Sequence, residues 1–109
     1  LKSDDAPVIV QQIHARHILM KPNEIQDDQT VRGRLQTIRD KIAAGQDDFA
    51  AIAKAVSEDP GSASEGGDLG WTSPGTFVPE FEKVLESLGE KEISQPFRTQ
   101  YGWHVAQLM

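Results

Sequence analysis

The stretch from Ser57 to Trp71, SEDPGSASEGGDLGW, constrains this chain more than any other, because it has the chemistry of a loop yet runs straight into a strand. Asp59-Pro60-Gly61 reads as a tight turn, with Pro60 pre-setting one backbone angle and the Asp59 side chain within reach of downstream amides. Gly66-Gly67 then permits a second sharp change of direction. A glycine pair raises the entropy lost on folding, so its place just before Asp68-Leu69-Gly70-Trp71 predicts a backbone that turns closely against something. A short strand there would put Leu69 and Trp71 on one face. Taken alone, these residues are better read as an ordinary surface loop with a glycine hinge; the two histidine-bearing strands elsewhere in the chain are what favour a functional reading.

Residues 1–11 are polar and proline-bearing at their start and read as a linker or frayed N-terminus, leaving one domain over 12–109. Gln12 to Met20 is rich in β-branched and apolar residues and predicts a strand. Alternation places Ile13, Ala15, His17 and Leu19 on one face and His14, Arg16, Ile18 and Met20 on the other. His14 and His17 therefore point apart, against a shared metal site. Asp27 or Asp28 can cap a helix running to about Ala44 with Val31, Leu35, Ile38 and Ile42 on one stripe, closed by Gly45. Gly33 lies inside that helix without evident reason. Asp47 or Asp48 caps a second helix carrying Phe49, Ile52, Ala53 and Val56. Pro79 suits the first position of a third, with Phe81, Val84, Leu85 and Leu88 facing inward and Gly89 at its end. Ile93 to Phe97 reads as a short strand, and a turn over Thr99 to Gly102 leads into a last strand, Trp103 to Met109, with His104, Ala106 and Leu108 on one face. The order β-α-α-β-α-β-β predicts an α+β domain around a small, mainly antiparallel four-stranded sheet.

Charge and composition exclude several functions. The net charge of −6 is uneven: residues 1–57 carry 8 basic and 8 acidic side chains, and residues 58–109 carry 3 and 9. No basic stripe exists to neutralise phosphates, so no nucleic-acid partner is expected. The absence of cysteine removes disulfides, thiolate catalysis and cysteine zinc sites. No run is long or apolar enough to span a bilayer as a helix, so no membrane insertion is expected. A chain that begins at Leu1 reads as a piece of a longer protein, with any targeting signal and partner domains outside it.

Four segments together resemble a parvulin-type peptidyl-prolyl isomerase domain: HARHILM, SEDPGSASEGGDLGW, FVPEF and TQYGWHVAQLM. The likeness covers about Gln12 to Met109. The forms HARHIL, DPGSA and GWH are most similar to the parvulin domains of a periplasmic chaperone of Gram-negative bacteria, and of its two such domains to the second. The resemblance implies that His17 and His104 are the paired central histidines and that Asp59 stands where many eukaryotic members have cysteine. It implies that Leu69, Phe77 and Phe81 form the apolar pocket for the substrate proline, and that Thr99 and Tyr101 lie at a strand end beside the histidines. It further implies a periplasmic location, catalysis without metal or cofactor, and as partners unfolded or extended polypeptides, especially proline-containing and aromatic-rich segments of outer-membrane proteins.

The residue types suit that chemistry. Rotation about a peptide bond faces a barrier of roughly 18–20 kcal/mol and makes or breaks no bond, so no nucleophile is required. The catalyst needs only to bind the twisted amide more strongly than the planar one. An ionised Asp59 beside the carbonyl oxygen would repel it. Either Asp59 is protonated, or its charge faces the histidines or backbone amides. A non-catalytic module that uses the same groove to hold hydrophobic segments is the alternative.

Overall fold

In the computed structural model, residues 12–109 are described. The linker or frayed terminus expected over residues 1–11 lies outside the described residues. The elements follow the expected order: β1 Ile13–Met20, α1 Asp28–Ala43, α2 Phe49–Val56, β2 Asp68–Thr72, α3 Pro79–Ser87, β3 Phe97–Thr99 and β4 Gly102–Leu108, with a 3-10 turn over Ala63–Glu65 in the central loop.

Local chemistry sets most of the boundaries. Asp27 caps α1 by accepting the Thr30 amide at 2.8 Å, and Asp48 caps α2 by accepting the Ala51 amide at 2.9 Å. The end of α1 is closed by the Gly45 and Gln46 amides reaching back to the Ile42 and Lys41 carbonyls. Pro79 opens α3 as expected, but the helix stops at Ser87, with Leu88 already extended.

The four strands form one antiparallel sheet in the order β2-β1-β4-β3. Helices α1 and α2 cover one face. There Ile18, Met20 and Val105 pack against Val31, Leu35, Phe49 and Ala53. Helix α3 covers the other face, where Ala15 and Ala106 meet Phe81 and Leu85. Asp28, at the start of α1, accepts from Trp103 Nε1 at 2.8 Å and pairs with Arg98 Nε at 2.9 Å. This ties the β3–β4 hairpin, and so the position of His104, to the helical layer.

Two strand expectations are corrected. Strand β3 covers Phe97–Thr99, whereas Ile93 makes only an isolated bridge to Gln107. Between Ile93↔Gln107 and Phe97↔His104 the register slips by one residue at Gln95-Pro96, and Pro96 has no N–H to give the ladder. Leu69 and Trp71 do not share a face. Trp71 stands opposite His14 and Asp68 opposite Arg16, so Leu69 and Gly70 together oppose Ala15 in a bulge, with Gly70 at φ +73°. Leu69 thus turns toward α3, while Trp71 lies beside the His14 ring and is 66% exposed.

Candidate functional site

His17 on β1 and His104 on β4 sit two pairs apart along the ladder, and so on the same α3 face, because His17 opposes Ala106 and His104 opposes Leu19. Both are buried among apolar neighbours. Their rings approach edge to edge, with Nδ1 to Nδ1 at 3.1 Å. The central loop supplies the third member: Asp59 Oδ2 lies 2.7 Å from His17 Nε2. Gly67 makes that approach possible. Its carbonyl accepts the His17 amide at 2.9 Å, at φ +86°, and a Cβ there would collide with the His17 carbonyl oxygen.

Electrostatics fix the protonation of Asp59. Partial burial works against its charge, but hydrogen bonds from the Ser62 hydroxyl, from His17 and from the Gly61 amide outweigh it, and the carboxyl is held below the usual carboxylate value. Of the two arrangements open from the sequence, the charge faces the histidine and a backbone amide. For the histidines, burial is the largest influence and pushes both down. His17 is only partly compensated by Asp59, and His104, also disfavoured by its neighbour His17, is lowered to about 3.

With Asp59 an acceptor and both rings neutral, one set of tautomers satisfies every contact. His17 donates from Nε2 to Asp59, so its Nδ1 accepts. His104 donates from Nδ1 to His17, so its Nε2 accepts. Thr99 Oγ1, 2.7 Å from that nitrogen, donates to it and accepts the Tyr101 amide at 3.1 Å. The result is one directed chain of protons from Tyr101 to Asp59.

This arrangement makes stability depend on pH. The native state keeps both histidines neutral below their ordinary value of 6.5, whereas the unfolded chain takes up protons there. Their contribution is complete above that value and is lost as the pH falls through it, by up to about 1.4 kcal/mol per pH unit for each histidine kept neutral. Asp59 acts in the same direction further down, its contribution disappearing below the ordinary carboxylate value. Urea unfolding at pH 7, 6, 5 and 4 should therefore show a midpoint that falls steadily. An unchanged midpoint between pH 7 and 5 would mean that the buried pair charges in the folded state.

Beside this chain lies a cleft of about 340 Å³. Its apolar part is formed by Leu69 from β2, Phe81 from α3, Phe77 and Val78 from the segment entering that helix, and Leu19 from β1. Phe81 is the centre of it, 3% exposed, with its ring edge-on to His17 and His104 at 5.4 and 5.3 Å and 4.8 Å from Phe77. Phe77 is half-buried. His17, Asp59, His104, Thr99 and Tyr101 line the rest, with Tyr101 56% exposed at the rim. All eight residues singled out in the sequence thus face one cleft. Six others line it that the sequence did not single out as site residues: Leu19, Lys21, Glu58, Pro60, Thr76 and Val78. Ser62, buried behind Asp59, was also missed, although a serine three residues after a turn aspartate is a recognisable hydrogen-bonding pattern. Among the described residues, no group of three or more His, Asp or Glu is placed to hold a metal ion, and no helix is long and apolar enough to cross a membrane.

The comparisons with known proteins agree with this geometry. The family described as Rotamase: PPIC-type PPIASE domain matches residues 17–109. Chaperone SurA of Shewanella denitrificans is 49% identical over 100 residues, covering 92% of this chain and 23% of that protein. The chain therefore spans about a quarter of the length of the curated relatives it matches. Among solved structures, the peptidylprolyl isomerase PrsA of Bacillus anthracis superposes with a TM-score of 0.78 at 31% identity, over 91% of this chain and 41% of that one. NmPin, the parvulin of Nitrosopumilus maritimus, does so with a TM-score of 0.73 at 29% identity, over 89% and 94%. With the antiparallel sheet, the paired histidines and the matched residues together, the chain belongs to the PPIC-type peptidyl-prolyl isomerases, the parvulins.

Proposed function

We propose that this domain isomerises X-Pro bonds in unfolded or extended chains, with Leu69, Phe77 and Phe81 receiving the proline ring and His17, Asp59, His104 and Thr99 forming the polar wall beside it. The observation that carries this reading is a cleft in which an apolar floor meets a chain of hydrogen bonds whose protons are all committed internally. A planar amide is polar because resonance moves charge from nitrogen to oxygen, and twisting ends that resonance. Stripping water from the amide therefore raises the planar form relative to the twisted one. The wall contributes by withholding donors. The ring N–H groups point to Asp59 and His17 and the Thr99 hydroxyl to His104, so none remains to stabilise the planar amide's charged oxygen. A thousandfold acceleration requires about 4 kcal/mol of such preference. The Tyr101 ring at the rim contacts residues flanking the proline.

The test is exchange spectroscopy on an X-Pro peptide with catalytic amounts of the domain. Cis/trans exchange, otherwise taking tens of seconds or more, should enter the measurable range and stay there in the presence of a chelator. Peptide binding without any change in exchange would instead favour the non-catalytic binding module.

Substrate preference follows from the charges on the cleft. Lys21 is the one cation lining it among the described residues, and Glu58, whose carboxylate accepts the Lys21 amide, stands on the same wall with the ionised Asp59. A dianionic phosphate before proline meets more repulsion than pairing. Peptides with an aromatic or aliphatic residue before proline should show the higher kcat/KM, and a phosphoserine-proline peptide that outperforms them would overturn this.

The likeness to SurA supports a periplasmic setting, a place as the second of two such domains beside other domains of a longer chaperone, and clients among unfolded outer-membrane proteins. An apolar slot wide enough for a turning proline ring also admits Phe or Tyr. Aromatic-rich segments are therefore weak second ligands of the same cleft.

A further inference from the structure

We propose that Ser62 is a positioning residue for the isomerisation: through Asp59 it selects which of two proton orders the His17–His104–Thr99 chain adopts. This rests on the reading of the cleft as an isomerase site. Ser62 is 2% exposed, and its hydroxyl donates to Asp59 Oδ2 at 2.6 Å, the same oxygen that receives His17 Nε2. The hydroxyl is aimed by the backbone of a pinned turn. The Ser62 amide donates to the Asp59 carbonyl, and the Ser62 carbonyl accepts the Glu65 and Gly67 amides at 3.0 and 2.8 Å.

The consequence reaches four residues away. While Asp59 is an acceptor, every proton in the chain points toward it and the Thr99 hydroxyl is occupied by His104. If Asp59 takes a proton, or turns out to water, His17 is free to accept at Nε2 and carry its proton on Nδ1. That proton faces His104 Nδ1, which must then accept, so the His104 proton moves to Nε2 and donates to Thr99. The Thr99 hydroxyl is released and can hydrogen-bond a substrate carbonyl, holding the planar amide that the cleft otherwise disfavours. A buried donor on Oδ2 opposes this reversal, because a carboxyl that receives two hydrogen bonds on one oxygen is stabilised as the anion. The other Asp59 oxygen has only the Gly61 amide, at 3.2 Å.

The test compares the parent domain with Ser62→Ala and Ser62→Cys by histidine ring nitrogen NMR and by exchange rates across pH 4–8. The titratable and charged groups around Asp59 and the two rings are His17 on β1, His104 behind it on β4, Arg98 on β3, and Glu58 and Lys21 on the cleft wall. The parent should show His17 protonated at Nε2 and His104 at Nδ1. In Ser62→Ala the reversed order should become populated on mild acidification, the acidic limb of kcat should move up by about one pH unit, and kcat should fall about tenfold with KM changed less than about twofold. Ser62→Cys, of similar size but a weaker donor, should fall between, and it serves as the informative variant if the alanine form unfolds. Parent-like tautomers and an unshifted pH profile in both variants would overturn the proposal, leaving Ser62 as a turn residue. The two readings fail separately. A parent domain that does not accelerate exchange removes the isomerase reading, while the ring spectra still decide whether Ser62 sets the proton order.

Discussion

Phe81→Ala is expected to destabilise the domain by about 3–5 kcal/mol and to abolish most of its isomerase activity. The ring is 3% exposed and has neighbours on every side: His17, His104, Phe77 and Phe97, all with centroids within 5.5 Å. Truncation removes the transfer free energy of the ring and leaves a cavity that the sheet behind it cannot close. For a domain of this size, with ordinary stability of about 5–15 kcal/mol, that is a large fraction of the total. Activity fails for a separate reason, since Phe81 is the floor of the proposed proline slot and a cavity there readmits water to the amide. Urea unfolding measures the first effect and exchange spectroscopy the second. Phe77→Ala separates them: Phe77 is half-buried, so its loss should lower activity with a smaller effect on stability. A folded Phe81→Ala domain with the parent's exchange rate would show that the slot lies elsewhere.

The second large effect is backbone in origin. Gly67→Ala should destabilise by about 2–5 kcal/mol, combining about 1–2 for a left-handed alanine with about 1–3 for overpacking. Its Cβ would meet the His17 carbonyl oxygen and, at 3.3 Å, Ala53 Cβ, and relief would require the loop to withdraw from β1. Asp59 is carried on that loop, so the surviving folded fraction should also show a weakened Asp59–His17 contact and slower turnover. Gly33→Ala provides the opposite sign. Gly33 is exposed in the middle of α1, with nothing within 4 Å of an added Cβ, so alanine there should stabilise by about 0.5–1 kcal/mol. Thermal melts of the two variants should diverge from the parent in opposite directions, since about 1 kcal/mol shifts the midpoint by roughly 4–8 °C at this size. A Gly67→Ala melt that overlays the parent would show the loop is not pressed against β1.

What could be read before folding was governed by interactions spanning a few residues. The caps at Asp27 and Asp48, Pro79 at the start of α3, the stripe of Val31 and Leu35 and the alternation along β1 each act within about one turn or two strand positions, so the order of elements followed from them. The glycine pair also announced a close approach without revealing what was approached. Pro96 was visible too, but its effect on the ladder depends on which edge of β4 it meets, and so β3 was placed too early. The Leu69–Trp71 alternation failed because a bulge is a property of two strands, not one.

The sequence by itself determined the α+β order, the two histidine strands and the turn chemistry of the central loop, and by resemblance it named the eight residues on the cleft. Only the tertiary structure decided that His17 and His104, 87 positions apart, share a hydrogen bond, that Asp59 is the ionised end of their proton chain, and that a buried Ser62 stands behind it. The physical reason is range. Propensity and capping are local energies that the chain carries wherever it goes, whereas strand register, burial and the protonation they impose exist only once distant segments have excluded water between them.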